Sequence, residues 1–191
     1  MERKETAPKS ARERILDTAG QLFARDGFLA VGIDLIIAES GVAKMTLYRH
    51  FSSKEELIVA YLERANLGFW HWMDSMLADV AGPQAKILAM FQAVQKVATS
   101  PQCLGCSFQS AALEFPVLDH AVHQVAIKHK DMVLQRIRSL ASEAGLKEPE
   151  ALANQLLLLM DGAWTAVRMY GPQNAAVDLV PAVKILLAAH Q

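Results

Sequence analysis

Between Glu39 and Glu55 the chain carries no carboxylate, and within that interval lie Lys44, Met45, Thr46, Tyr48, Arg49 and His50. Ammonium, guanidinium and hydroxyl groups reach phosphate oxygens here without competing negative charge, so the set suits a polyanion. Spacing turns the set into a surface. Leu47 and Phe51 stand at i and i+4, which places both on the buried side of one helix and leaves the other six facing outward. Gly41 closes a short helix before it, since a left-handed residue costs Gly least, and the next helix begins about three residues later. The pair reads as a helix-turn-helix.

The string Gly41-Val-Ala-Lys-Met-Thr-Leu-Tyr-Arg-His-Phe51, followed by Ser52-Ser-Lys-Glu-Glu-Leu57 and preceded by Leu22-Phe-Ala-Arg-Asp-Gly-Phe28, resembles the signature of the TetR-type bacterial transcriptional regulators. The resemblance covers roughly residues 10 to 64. It implies that Lys44 and Met45 face base edges, that Thr46, Tyr48 and His50 contact phosphates, that Arg49 reaches either, and that Lys54 anchors a phosphate from the following helix. Three departures stand out. Ala43 and Met45 occupy positions where the family often has Ser or Thr and Gly, and Gly32 stands where it often has Thr. Losing the hydroxyl cap at Ala43 costs about 1 kcal/mol, and Gly32 costs less. A weaker similarity, Gly105-Cys-Ser-Phe with Ala112-Leu-Glu-Phe115, matches a pattern in the sensor domain of one subgroup.

These residues need a frame. Ser10 with Glu13 three residues on forms a capping box for a first helix over about 10–25, with an apolar stripe at Ile15, Ala19, Leu22 and Phe23. Further helices are expected at about 33–40, 44–50 and 54–77. Breaks at Gly82-Pro83, Ser100-Pro101, Phe115-Pro116, Gly145 to Pro149 and Gly171-Pro172 leave others at about 83–99, 106–114, 117–144 and 149–170, and a last one ending near Ala189. Pro181 fits that last helix if Asp178 is its N-cap. No strand-like alternation appears. The expected architecture is all-α: a three-helix helix-turn-helix head over residues 1–53, including an N-terminal arm, and a larger helical effector-binding and dimerisation body over 54–191.

With 191 residues and 52% apolar content the chain can bury a substantial core. The apolar run from Leu156 to Met160 stops at Asp161, far short of the ~20 residues of a membrane span. Residues 1–10 lack the apolar stretch of a secretory signal, so a cytoplasmic protein is expected. Net charge is −1; residues 1–53 hold eight basic against seven acidic side chains and the rest eleven against thirteen. The asymmetry is slight, so any grip on DNA must come from the local arrangement at 44–54.

In the body, Trp70, Met73, Phe91, Phe108, Phe115 and Trp164 are candidate linings for a small hydrophobic effector, with Gln109, His123 and Glu114 as orienting polar groups. Most apolar residues at helical spacing are core. Cys103 and Cys106, with His120 and His123 further on, approach a zinc-finger spacing. The histidines are too close together and no strand pair precedes them, so no metal and no cofactor is expected. Cys106, near the start of a helix, is the alternative sensor: amide dipoles favour a thiolate there, which would react with electrophiles or oxidants.

No catalytic triad, paired-carboxylate site or phosphate loop appears, so an enzyme is not expected; a helical scaffold is the other competing class. A palindrome read by two heads about 34 Å apart requires a homodimer. Leu152 to Val167, with small residues at Gly162, Ala163 and Ala166, is the expected contact helix. The function implied is a transcriptional regulator, a dimeric repressor released from its double-stranded operator by ligand.

Overall fold

A computed structural model describes residues 9–173 and 177–191; the arm expected over residues 1–10 lies mostly outside them. Nine helices are present among the described residues, with no strand: α1 (Ala11–Asp26), α2 (Ile33–Ser40), α3 (Lys44–His50), α4 (Lys54–Leu77), α5 (Pro83–Ala98), α6 (Ser107–Glu114), α7 (Ala121–Glu143), α8 (Pro149–Tyr170) and α9 (Leu179–Ala189). The fold is all-α, with the helix-turn-helix at the N-terminal end.

Local chemistry accounts for the boundaries. Ser10 accepts from the Glu13 amide while the Glu13 carboxylate accepts from the Ser10 amide, the reciprocal box that starts α1. Ser53 caps α4 by accepting from the Glu56 amide at 3.0 Å. Gly41 ends α2 at φ 64°, ψ 30°. Ala43 caps α3 without a side-chain bond, as does Gly32 for α2. Asp178 occupies the N-cap position of α9 but makes no side-chain cap bond.

Two expected starts differ. The helix placed from residue 117 begins only at Ala121, because Val117 to His120 closes a turn in which the His120 amide bonds the Val117 carbonyl, and His120 Nδ1 then accepts from the Val122 amide as the cap. Cys106 is the extended N-cap residue of α6, outside the helix.

Two apolar cores result. One joins Ile15, Leu16, Ala19, Leu22, Phe23, Phe28, Ile36, Leu47 and Phe51 of the first three helices and their loops to Leu57, Ile58 and Leu62 of α4, Phe108 and Ala111 of α6, and Val122 and Ala126 of α7. The other gathers Met73 and Leu77 of α4 with α5, the later part of α7, α8 and α9. Helix α4 therefore enters both. Its buried residues are Leu57, Ile58 and Leu62 near one end and Met73 and Leu77 near the other.

Candidate nucleic-acid interface

Leu47 and Phe51 are sealed in the first core, each side chain contributing on the order of 1.5–3 kcal/mol of burial, and this fixes which face of α3 meets solvent. On that face Met45 is 84% exposed and Tyr48 45%; Lys44 and Arg49 are also exposed, with Thr46 and His50 at its half-buried margin. Lys44, Met45, Tyr48 and Arg49 thus share one exposed face, flanked by Thr46 and His50. Lys44 Nζ lies 3.3 Å from Asp34 Oδ1 of α2, a carboxylate close in space though outside the acid-free stretch of sequence. Both partners are well exposed, so the pair is weak and a phosphate can displace the acid.

Lys54 is placed differently. Its Nζ donates to the Leu29 carbonyl at 3.0 Å, and partial burial there pushes the ammonium pKa below its usual value, opposed by the charge of Glu114. It stands at the seam between head and body, already engaged.

The exposed α3 is thus backed by α1 and α2 and followed directly by the long α4. The profile of bacterial regulatory proteins of the tetR family matches residues 15–61. A crystal structure of a TetR-family transcriptional regulator from Streptomyces coelicolor is 32% identical, with TM-score 0.89, over 94% of this chain and 95% of that one. The chain belongs to the TetR family of transcriptional regulators. Among curated relatives, the HTH-type transcriptional repressor KstR2 of Rhodococcus jostii is 27% identical over 92% of this chain and 88% of its own. The HTH-type transcriptional activator FasR of Mycolicibacterium smegmatis is 45% identical over 53 residues, which are 28% of this chain and 24% of FasR.

In this TetR-family chain the candidate effector residues do not line a single cavity. Met73 and Phe91 are fully buried in the second core. Phe108 belongs to the first core and lies flat on His129. Phe115 packs edge-on to Phe28 at 6.5 Å, and its carbonyl accepts from His123 Nδ1 at 2.6 Å. Gln109 donates to the Asp161 carbonyl at 3.2 Å, and Trp164 is half-buried beside the second core. Glu114, expected to orient a ligand, has both oxygens occupied by backbone amides of the head. Cys103 and Cys106 are free thiols, the first buried and the second half-buried against the first core. Among the described residues no group of three or more His, Cys, Asp or Glu is arranged to hold a metal, and no helix is long and apolar enough to cross a membrane.

Trp70 borders a groove of about 1230 Å3 between α4 and α7 that also meets Asn66, Leu67, Val125 and Met132. Sequence reasoning missed Asn66 and His129. Asn66 Oδ1 accepts from Trp70 Nε1 at 3.1 Å and from His129 Nδ1 at 2.7 Å, so one amide of the groove floor orients two rings. Asn66 Nδ2 faces only the Met132 thioether, 3.6 Å away, a weak acceptor that a ligand carbonyl would replace with gain.

Proposed function

We propose that this TetR-family regulator is a repressor that binds a palindromic operator as a homodimer and is released by a small hydrophobic effector. The carrying observation is the exposed face of α3. Lys44, Met45, Tyr48 and Arg49 project from a helix whose other face is fixed by Leu47 and Phe51, so the cationic and hydroxyl groups can enter a groove together. Lys44 and Met45 are assigned to base edges, the Met45 thioether suiting a thymine methyl, and Thr46, Tyr48 and His50 to phosphates, with Arg49 serving either. Lys54 can reach a phosphate only by leaving the Leu29 carbonyl, which ties its role to the seating of the head.

Dimerisation is supported by a face with no partner in the described chain. Leu158 (73% exposed), Gly162 and Met169 fall along one outer side of α8, and Ile185 (69% exposed) is likewise uncovered on α9. Nothing lies within 4 Å of where a Gly162 side chain would begin, so a second helix can approach closely. Residues 1–53 serve as the reading unit and 54–191 as the sensing and pairing unit. An effector in the body shifts α4, changes the separation of the two α3 helices and lowers DNA affinity by a coupling of ~1–3 kcal/mol. The similarity to KstR2 along most of both chains favours the repressing sign.

The test is selection of binding duplexes from a random pool by the full-length protein. Two inverted half-sites about 10 base pairs apart are expected. Recovery of unrelated sequences, or none, refutes the reading. A thermal-shift screen of small hydrophobes and electrophiles, repeated with the selected duplex, then finds compounds that stabilise the free protein and oppose DNA.

A further inference from the structure

The short helix α6 of the body holds α7 and α8 at its start and a loop of the head at its end. At its start, Phe108 stacks on His129 of α7, Gln109 bonds the Asp161 carbonyl of α8, and the Ser107 and Tyr61 hydroxyls lie 3.0 Å apart. At its end, Glu114 Oε1 accepts from the Phe28 amide at 3.1 Å and Oε2 from the Leu29 amide at 2.7 Å. These amides follow Gly27, whose φ of 90° turns the chain out of α1; a Cβ at Gly27 would stand 3.1 Å from Oε1. Leu29 is held from its other side as well, since its carbonyl accepts from Lys54. Phe115 packs its ring edge-on to Phe28, which is itself buried and 5.0 Å from Phe23. The Ala112-Leu-Glu-Phe115 segment therefore delivers its acid and its aromatic ring to one loop of the head.

Charge-assisted bonds from a carboxylate to two successive amides are short, directional and stronger than neutral ones. They fix orientation as well as distance. We propose that Glu114 is a positioning residue for DNA binding, setting the angle of the helix-turn-helix head on the body through the Phe28 and Leu29 amides. The proposal rests on the dimeric operator reading above and names a residue that sets the spacing of its two heads. It also explains why the acid follows the apolar residues of α6: Phe108 and Ala111 seat the helix, and its last residue reaches across the seam.

The experiment uses the full-length protein, the duplex it selects from a random pool, the same duplex with its half-sites moved two base pairs apart or together, and a single half-site. Wild type is expected to prefer the selected spacing. Glu114→Gln keeps the shape of the side chain but sets an NH2 group against one amide N–H; Glu114→Ala removes both bonds. Both variants are expected to lose about ten-fold in affinity for the paired site, within the ~5- to 150-fold range of typical coupling. Both should bind the single half-site as wild type does, so the spacing preference flattens, and hydrogen exchange at Phe28 and Leu29 should accelerate. Unchanged affinity and spacing preference in both variants would overturn the proposal, as would equal losses on paired and single sites, which would make Glu114 a support for the fold of the head alone. A wild type indifferent to spacing would refute the operator reading itself and this proposal with it, whereas the first two results leave that reading standing.

Discussion

The imidazole of His129 lies parallel to the ring of Phe108, 3.7 Å between centroids and 8° between planes, and joins the middle of α7 to the first turn of α6. His129 is 5% exposed, and its Nδ1–H is donated to Asn66. Burial, with a smaller push from Lys130, lowers its pKa from 6.5 to about 3. The ring is neutral in the native state and takes a proton once the chain unfolds. Between these two values the unfolded chain binds more protons, so stability is full above pH 6.5, declines as pH falls, and stops declining below about 3. A slope of up to about 1.4 kcal/mol per pH unit is expected from this one residue. Urea midpoints at pH 7, 6 and 5 should separate wild type from His129→Phe, which keeps an aromatic ring without the titration; parallel curves would exclude the assignment.

On α3, Tyr48→Ala should weaken operator binding about ten-fold, the equivalent of ~1.5 kcal/mol for a hydrogen bond to a charged acceptor. Lys44→Ala should cost about 1–3 kcal/mol for each head engaged and relax the sequence preference at the base pair it faces. Fluorescence anisotropy on the selected duplex and on its single-base variants reads both effects. Variants indistinguishable from wild type would place the DNA contact elsewhere.

Leu158→Arg sets a charge in the middle of the outer face of α8. Loss of the dimer is expected by analytical ultracentrifugation at micromolar concentration, with paired-site affinity falling and the melting temperature of the subunit little changed. A dimer that persists after Leu158→Arg and Ile185→Arg together would rule out this face.

Gly27→Ala forces a side chain into a φ of 90° and crowds Glu114 Oε1. The backbone strain alone is about 1–3 kcal/mol, because φ 90° with ψ 163° is a region essentially reserved for glycine. A corresponding drop in chemical stability is expected, whereas Gly32→Ala, with φ −83° and open space around its Cβ, should show little.

The head was legible because its signals are local. Ser10 and Glu13 announce the start of α1, Gly41 the end of α2, and the i, i+4 pair of Leu47 and Phe51 the orientation of α3; all five appear in those roles. The late start of α7 has no sequence signal because no Gly or Pro lies between Pro116 and Gly145, and the turn there is closed by the His120 ring acting as a cap. Asn66 and His129 left no trace at all. They lie 63 residues apart, and nothing in either neighbourhood marks a polar pair that meets only when α4 packs on α7. Glu114 was legible as a polar residue among apolar ones, but its partners, Phe28 and Leu29, are 85 or more residues away and offer only backbone atoms, which carry no sequence signature.

Between Leu62 and Met73 no residue of α4 is fully buried, a reach of roughly 16 Å at 1.5 Å per residue, moored at both ends to different cores. Gly68 sits in the middle of that reach with nothing within 4 Å of its Cβ direction, and a helical glycine is worth about 1 kcal/mol less than alanine there. Bending of α4 is therefore least opposed at Gly68, and Gly68→Ala, whose Cβ would meet open space, is expected to stiffen the rod and raise the melting temperature.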